Sequence, residues 1–184
     1  MVVVSQGTID NRDPSKLIEP TIRALEGSGA LTVAVTGGVA TDLLQRRHAR
    51  SDVVIEDYID FAALFPLADL FVTNGGHGSV MLALSHRVPM VLAGTREGKN
   101  DINARLEVAG LAPNLHTERP SARRLWRAID AVLTGSSYRE RVDRVGAVLD
   151  SYDSIGIVDE AMREDFGPSA SHIRAAADGE DRTA

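Results

Sequence analysis

The chain has 184 residues, a length that suits one ordinary domain with a sizeable core better than two very small ones. It carries 20 Lys+Arg and 26 Asp+Glu, a formal net charge of −6 with no long basic run, which disfavours a general nucleic-acid binder. A hydrophobic content of 43% excludes disorder for the bulk of the chain, and the absence of cysteine excludes disulfides, thiolate nucleophiles and Cys-ligated zinc.

Nothing in the sequence predicts a membrane span or a leader. No apolar run approaches the ~18 residues needed to cross a bilayer. The N-terminus, Met1–Ser5, lacks the positively charged start of a signal peptide. We therefore expect a cytoplasmic protein.

Apolar runs, glycines and helical patterns alternate along the first two thirds of the chain. A buried strand is predicted at 2–4, followed by a helix from Pro14 that ends at the glycines of 27–29. Further strands are predicted at 31–35, 53–55, 70–72 and 90–93, helices at 41–48, 79–86 and 101–109, and a short apolar patch around Leu115. This alternation predicts an α/β fold with a doubly wound parallel sheet of about six strands.

The rest of the chain is predicted to be helical. Amphipathic helices over 122–133 and 138–149 are interpreted as lid or closing elements, and 151–166 has room for one more helix. The tail from Gly167 is expected to be disordered. We therefore predict a main domain over 1–150 and a C-terminal helix with its tail over 151–184.

Glycines follow four of the predicted strands, at the edge where open α/β sheets bind ligands. They are Gly7, Gly37 with Gly38, the three in 73–79, and Gly94 with Gly98. The loop 73–79 leads from a buried strand directly into a helix, so its free N–H groups and the helix dipole are suited to a phosphate. The alternative is that each glycine only permits a tight turn, but four such loops on one edge favour ligand binding.

Other chemistries find little support. No G-x-G-x-x-G follows the first strand and no Walker A loop is present, so dinucleotide and P-loop sites are disfavoured. The histidines lack i, i+4 pairing, and no metal site is predicted. Asp57, Asp60 and Asp69 are as easily turn and helix-cap residues as a carboxylate pair for hydrolysis.

Several spaced segments resemble one family. The runs at 3–8 (VVSQGT), 35–38 (VTGG), 55–76 (IEDYIDFAALFPLADLFVTNGG) and 83–91 (ALSHRVPMV) are similar to the C-terminal domain of family 1 glycosyltransferases. The similarity extends from about residue 2 to residue 150 and is strongest to actinobacterial antibiotic and glycolipid enzymes.

The resemblance implies a B-type glycosyltransferase fold, in which a Rossmann-like C-terminal half holds a UDP- or dTDP-sugar as donor substrate, with no cofactor. The site residues it implies are Thr8 at a phosphate, Tyr58 and Ile59 at the base, Asn74, Gly76, Gly78 and Ser79 at the diphosphate, and Glu97 and Asn100 at the sugar hydroxyls. Asn74 departs from the His of many relatives, and the usual Asp–Gln pair would fall on Lys99–Asn100.

The implied function is to hold the donor while a hexose passes to a small-molecule or lipid hydroxyl. In this family the N-terminal domain binds the acceptor and supplies the general base. We expect no catalytic residue in this chain and little or no transfer without that domain or a partner chain. Alternatives are a non-catalytic, stand-alone nucleotide-binding module and, third, a nucleotide-sugar epimerase. A homodimer through the apolar segment around Ile155, Ile157 and Val158 stays open.

Overall fold

The computed structural model describes residues 1–7 and 11–166. Five parallel strands form one sheet in the order β3-β2-β1-β4-β5. They are β1 (Val2–Ser5), β2 (Thr32–Val35), β3 (Val53–Glu56), β4 (Leu70–Thr73) and β5 (Met90–Leu92). The predicted α/β class and the doubly wound parallel sheet are confirmed.

The expected sixth strand is not formed in the described part of the chain. An isolated parallel bridge between Leu92 and Asn114 takes its place beside β5. Leu92 donates to the Pro113 carbonyl at 3.0 Å and accepts from the Leu115 N–H at 2.8 Å. His116, with a φ of 46°, then turns the backbone out of the extended conformation. The pairing therefore ends after one bridge.

Eight α-helices are described. They are α1 (Ile18–Ala24), α2 (Thr41–Arg47), α3 (Phe61–Leu64), α4 (His77–Ser85), α5 (Lys99–Val108), α6 (Ala122–Thr134), α7 (Ser136–Asp150) and α8 (Ser154–Phe166). Helix α3 and the 3₁₀ turn Phe65–Leu67 that follows it were not predicted from the sequence. Asp60 caps α3 by accepting from the Ala62 N–H at 2.9 Å, so its interpretation as a cap residue is confirmed.

Two helix starts differ from the prediction. Helix α1 begins at Ile18 and not near Pro14, because the buried Gln6 side chain accepts from the N–H groups of Leu17 at 3.0 Å and Ile18 at 3.1 Å. Helix α4 begins at His77, two residues before the predicted start at Ser79. This second difference matters because it places Gly78 inside the first turn of the helix.

The core lies between the sheet and its covering helices. Strands β1, β2, β4 and β5 are buried throughout. Helix α6 contributes Leu125, Ile129 and Val132 to the same cluster as Ile18 and Ile22 of α1. The interpretation of this helix as a lid is therefore wrong, because its apolar face is part of the core.

The chain divides into two compact units, one ending at Ala147 and one beginning at Val148. In the second unit, α8 exposes the apolar side chains of Ile155, Ile157 and Val158. The predicted tail from Gly167 lies outside the described residues. Within residues 1–7 and 11–166 no helix has the length and apolar character to cross a bilayer, and the cytoplasmic location stays a prediction.

Candidate functional site

The order in which the chain adds strands to the sheet reverses between β1 and β4. From β1 the chain proceeds to β2 on one side, whereas β4 continues to β5 on the other. Loops leaving the carboxyl ends of two such strands separate and open a crevice, which is where doubly wound folds bind ligands. Here this switch point lies between Gln6 and Gly7, which follow β1, and the segment 74–76, which follows β4, and we call the space at these strand ends the crevice.

Asn74 ties the two edges of the crevice together. Its side-chain amide donates to the Gln6 carbonyl, and the residue is only 4% exposed. A charged group so deeply placed would need a paired partner, whereas a neutral amide needs only hydrogen bonds. The predicted diphosphate residue is therefore at the crevice, with its amide anchored across the strand ends.

The N-terminus of α4 faces this edge. Gly76 is its N-cap, and the first backbone bond of the helix runs from the Val80 N–H to the Gly76 carbonyl at 3.0 Å. The N–H groups of residues 77–79 precede that bond and carry the positive end of the helix dipole. A Cβ built on Gly78 would meet nothing within 4 Å, so the backbone there is open to close approach.

Ser79 is the hydroxyl residue in this first turn. Its Oγ donates to the Gly76 carbonyl at 2.9 Å. That bond fixes the hydroxyl beside the exposed N–H groups, and rotation about the C–O bond is enough to redirect its proton. Ser85, at the other end of the same helix, makes the equivalent bond to the Leu82 carbonyl, also at 2.9 Å.

Asn103, which was not predicted from the sequence, anchors the loops after β4 and β5. It is fully buried on α5, and its Nδ2 donates to the Asn74 carbonyl at 3.3 Å and to the Gly94 carbonyl at 3.0 Å. A Cβ at Gly75, where φ is 90°, would overlap its Oδ1. One signal in the sequence could have identified it. Asn103 lies three positions before the apolar Leu106, so both residues lie on the same face of α5, which is buried.

Tyr58 lies on the loop after β3, two strands from β1. The residue is 69% exposed, and its hydroxyl donates to the Gly37 carbonyl at 3.0 Å. A Cβ built on Gly38 would lie 3.7 Å from the ring. The ring is thus held over the glycine loop that follows β2, with a face available for stacking, and Ile59 is the next residue along the chain.

The predicted sugar residues lie at the start of α5. Glu97 and Gly98 both have left-handed backbone, with φ values of 57° and 76°. Glu97 accepts from the Nζ of the buried Lys99 at 2.8 Å, whereas the exposed Asn100 donates to Asp101 at 3.2 Å. The structure therefore places Glu97 and Asn100 in one short segment without joining them to each other. Thr8 lies outside the described residues.

Among the described residues, Asp13 and His48 have lowered pKa values. Hydrogen bonds from Ser15 and then from the Arg119 guanidinium lower the pKa of Asp13. Burial lowers the pKa of His48, which lies at the C-terminal end of α2. Over the described ranges, 1–7 and 11–166, no three His, Asp or Glu residues group as metal ligands would.

A parallel doubly wound sheet with a glycine loop at its switch point defines a Rossmann-like α/β domain. Residues 2–161 match the family model described as UDP-glucoronosyl and UDP-glucosyl transferase, and the chain belongs to this family.

Two relatives agree with this assignment in sequence, and one solved structure agrees with the fold. The chain is 36% identical over 179 residues to UDP-glycosyltransferase 2 of Phaeomoniella chlamydospora, covering 90% of this chain and 39% of the relative. It is 38% identical over 162 residues to 4'-demethylrebeccamycin synthase of Lentzea aerocolonigenes, covering 84% and 37%. The crystal structure of glycosyltransferase VinC in complex with dTDP superposes with a TM-score of 0.72 at 16% identity, covering 89% of this chain and 41% of VinC. The chain thus spans about two fifths of the length of these proteins.

Proposed function

We propose that this chain is the donor-binding half of a glycosyltransferase and holds a UDP- or dTDP-sugar in the crevice between β1 and β4. The observation that carries the proposal is the open first turn of α4, at the switch point of the sheet. Three backbone N–H groups, a helix dipole and the Ser79 hydroxyl converge there. The names of the relatives, which include a UDP-glycosyltransferase and a structure with dTDP, support a nucleoside diphosphate as the ligand.

We assign the diphosphate, the base and the sugar of the donor to three groups of residues that follow the carboxyl ends of different strands. The diphosphate is assigned to Gly76, Gly78 and Ser79 with the anchored Asn74, and to Thr8. The base is assigned to the Tyr58 ring, which stacks on any pyrimidine face, and to the Ile59 backbone, which reads its edge. The sugar is assigned to Glu97 and Asn100 at the start of α5. These assignments extend over the proposed nucleotide-sugar domain, residues 1–150, with 151–184 as a C-terminal helix and tail.

The chemistry proposed for the site is stabilisation of the leaving group. When an acceptor oxygen attacks the anomeric carbon of a hexose, the bond from that carbon to the β-phosphate oxygen breaks and the electron pair leaves with the diphosphate. Donors fixed before the reaction favour that developing charge. The N-terminus of α4 provides such donors, so we propose that no divalent cation or other cofactor is required.

Transfer also requires a general base within about 3 Å of the acceptor hydroxyl. We propose that the base and the site for a small-molecule or lipid acceptor come from an N-terminal acceptor domain or a partner chain. This fits the share of the relatives that the chain spans, between 37% and 41%. Self-association through α8 remains a further proposal.

Two substitutions in α4 and one matched control test the diphosphate site by titration with UDP and dTDP. Ser79→Ala is expected to weaken binding about tenfold or more, because a hydrogen bond to a charged group is lost. Ser85→Ala removes the equivalent intrahelical bond away from the crevice and should leave affinity unchanged. Gly78→Ala should weaken binding while raising stability, because alanine favours the helix by roughly 1 kcal/mol.

The outcomes distinguish a diphosphate site on α4 from a loop whose glycines only permit a tight turn. If Ser79→Ala and Gly78→Ala bind UDP and dTDP as tightly as the parent chain, the diphosphate does not lie on α4. A loss of affinity shared equally by Ser85→Ala would also contradict the assignment, since the effect would then belong to the helix and not to its first turn.

A further inference from the structure

Glu118, in the segment between α5 and α6, binds the backbone of the loop that follows β5. Its Oε1 accepts three hydrogen bonds, from the Thr95 N–H at 2.5 Å, the Thr95 hydroxyl at 3.1 Å and the Arg96 N–H at 3.1 Å. The side chain is only 15% exposed. Two consecutive N–H groups directed at one oxygen form the kind of concave site in which proteins hold anions. Here the anion is the protein's own carboxylate.

The same segment is attached to the loop after β1. The second oxygen of Glu118 lies 3.9 Å from the Lys16 Nζ. The next residue, Arg119, donates to Asp13 at 2.5 Å and to the Ser15 hydroxyl at 3.1 Å. The segment 118–119 therefore contacts residues that follow β1 and residues that follow β5. Through these contacts Glu118 fixes the position of residues 95 and 96.

The segment that Glu118 holds leads directly into the proposed sugar residues. Glu97 follows Arg96, and its left-handed φ of 57° is unfavourable for a residue with a side chain. Such a conformation persists where the surrounding contacts determine it. On one side Asn103 fixes the Gly94 carbonyl at 3.0 Å, and on the other Lys99 pairs with Glu97 at 2.8 Å. Glu118 supplies the contacts between these two anchors.

We propose that Glu118 is a positioning residue for the sugar end of the donor site. By fixing Thr95 and Arg96, it sets the direction in which Glu97 meets the sugar hydroxyls, without touching the sugar itself. This inference rests on the proposed function, because it presupposes that the donor's sugar lies against the start of α5. It predicts that Glu118 affects the binding of the sugar and not that of the nucleoside diphosphate.

The test compares two affinities for each variant. Calorimetric titrations give the Kd of UDP and dTDP, and of UDP-glucose, UDP-glucuronic acid and dTDP-glucose. The sugar increment is the ratio of the Kd of the diphosphate to the Kd of its tightest sugar nucleotide. The variants are Glu118→Ala, Glu118→Gln and Thr95→Val, with Glu107→Ala as control. Glu107 lies on α5 and pairs with His116 at 2.9 Å, so this control removes a partnered carboxylate elsewhere.

We expect Glu118→Ala to lower the sugar increment about tenfold, since three hydrogen bonds that fix the loop are lost, and to change the Kd of UDP and dTDP less than about twofold. Glu118→Gln keeps an acceptor oxygen and should restore most of the increment. Thr95→Val removes one of the three bonds from an exposed position and should lower the increment about threefold. Glu107→Ala should match the parent chain.

Other titration results from folded variants overturn the inference. An unchanged sugar increment in Glu118→Ala shows that the loop does not depend on this carboxylate. An equal loss of diphosphate and sugar-nucleotide affinity shows a general structural role. If Glu118→Ala does not fold, Thr95→Val decides by the same criterion. A parent chain that binds UDP or dTDP but gains nothing from any sugar refutes the inference alone, whereas one that binds neither diphosphate refutes the proposed function as well.

Discussion

Replacing Asn103 by alanine removes a fully buried side chain that bridges the loops after β4 and β5. In the native chain its Nδ2 donates to the Asn74 carbonyl at 3.3 Å and to the Gly94 carbonyl at 3.0 Å. Both carbonyls lose a donor in Asn103→Ala. A Cβ at Gly94 would overlap the Asn74 carbonyl, so the two loops pack too closely there for a side chain to replace the bridge.

The size of the effect follows from these contacts. Leaving a buried acceptor without a donor costs about 1–3 kcal/mol, and two acceptors are affected. Against this, the Oδ1 of Asn103 is buried without a hydrogen-bond partner among the described residues, and its removal relieves that penalty. The net expectation is a loss of about 2–4 kcal/mol in the free energy of unfolding.

Urea denaturation of the two proteins measures this difference directly. Asn100→Ala, on the exposed face of the same helix, serves as the control and should change stability by less than about 0.5 kcal/mol. A loss below about 1 kcal/mol in Asn103→Ala, or one equal to that of Asn100→Ala, would refute the view that Asn103 secures the loop.

Three further predictions follow from single contacts. Tyr58→Ala should weaken UDP or dTDP binding by about 1–3 kcal/mol, whereas Tyr58→Phe keeps the aromatic ring and should bind normally. Calorimetric titration of both variants decides whether the ring stacks on the base. Asp13→Asn should make the decrease in stability with falling pH less steep below pH 3.8. The lowered pKa of Asp13 contributes stability that is lost as the carboxylate is protonated in the folded chain. His48→Asn should make the decrease in stability from pH 7 to pH 5 less steep. Burial lowers the pKa of His48 below its ordinary 6.5, so the unfolded chain binds the proton at a higher pH than the folded chain does. Urea unfolding across these pH ranges checks both, and unchanged slopes would contradict them.

The fold could be predicted from local pattern to a large extent. Continuous β-branched runs such as Val2–Val4 mark strands buried on both faces, and glycines mark their ends. The predictions that were wrong concern features that depend on tertiary contacts. Nothing in the local sequence shows that the Gln6 side chain caps α1, or that His116 turns the chain after one bridge. The apolar stripe of α6 is equally compatible with a lid and with a core helix.

The residues of the candidate site were likewise predicted only in part from local sequence. Gly76, Gly78 and Ser79 stand in a recognisable loop, and the structure places them in or next to the first turn of one helix. Asn103 and Glu118 act through contacts with residues far away in sequence, at separations of 29 and 23 positions. No short motif encodes such contacts. The anchoring of Asn74 on Gln6, 68 positions away, is of the same kind.

The most direct test of the account is a calorimetric titration of the chain with UDP, dTDP and ADP, repeated in the presence of EDTA. We predict that UDP or dTDP binds at least about tenfold more tightly than ADP, because Tyr58 and Ile59 form a pyrimidine site, and that EDTA has no effect, because the N-terminus of α4 neutralises the diphosphate. Equal binding of ADP would contradict the base assignment. Absence of binding by UDP and dTDP would contradict the donor-binding function itself.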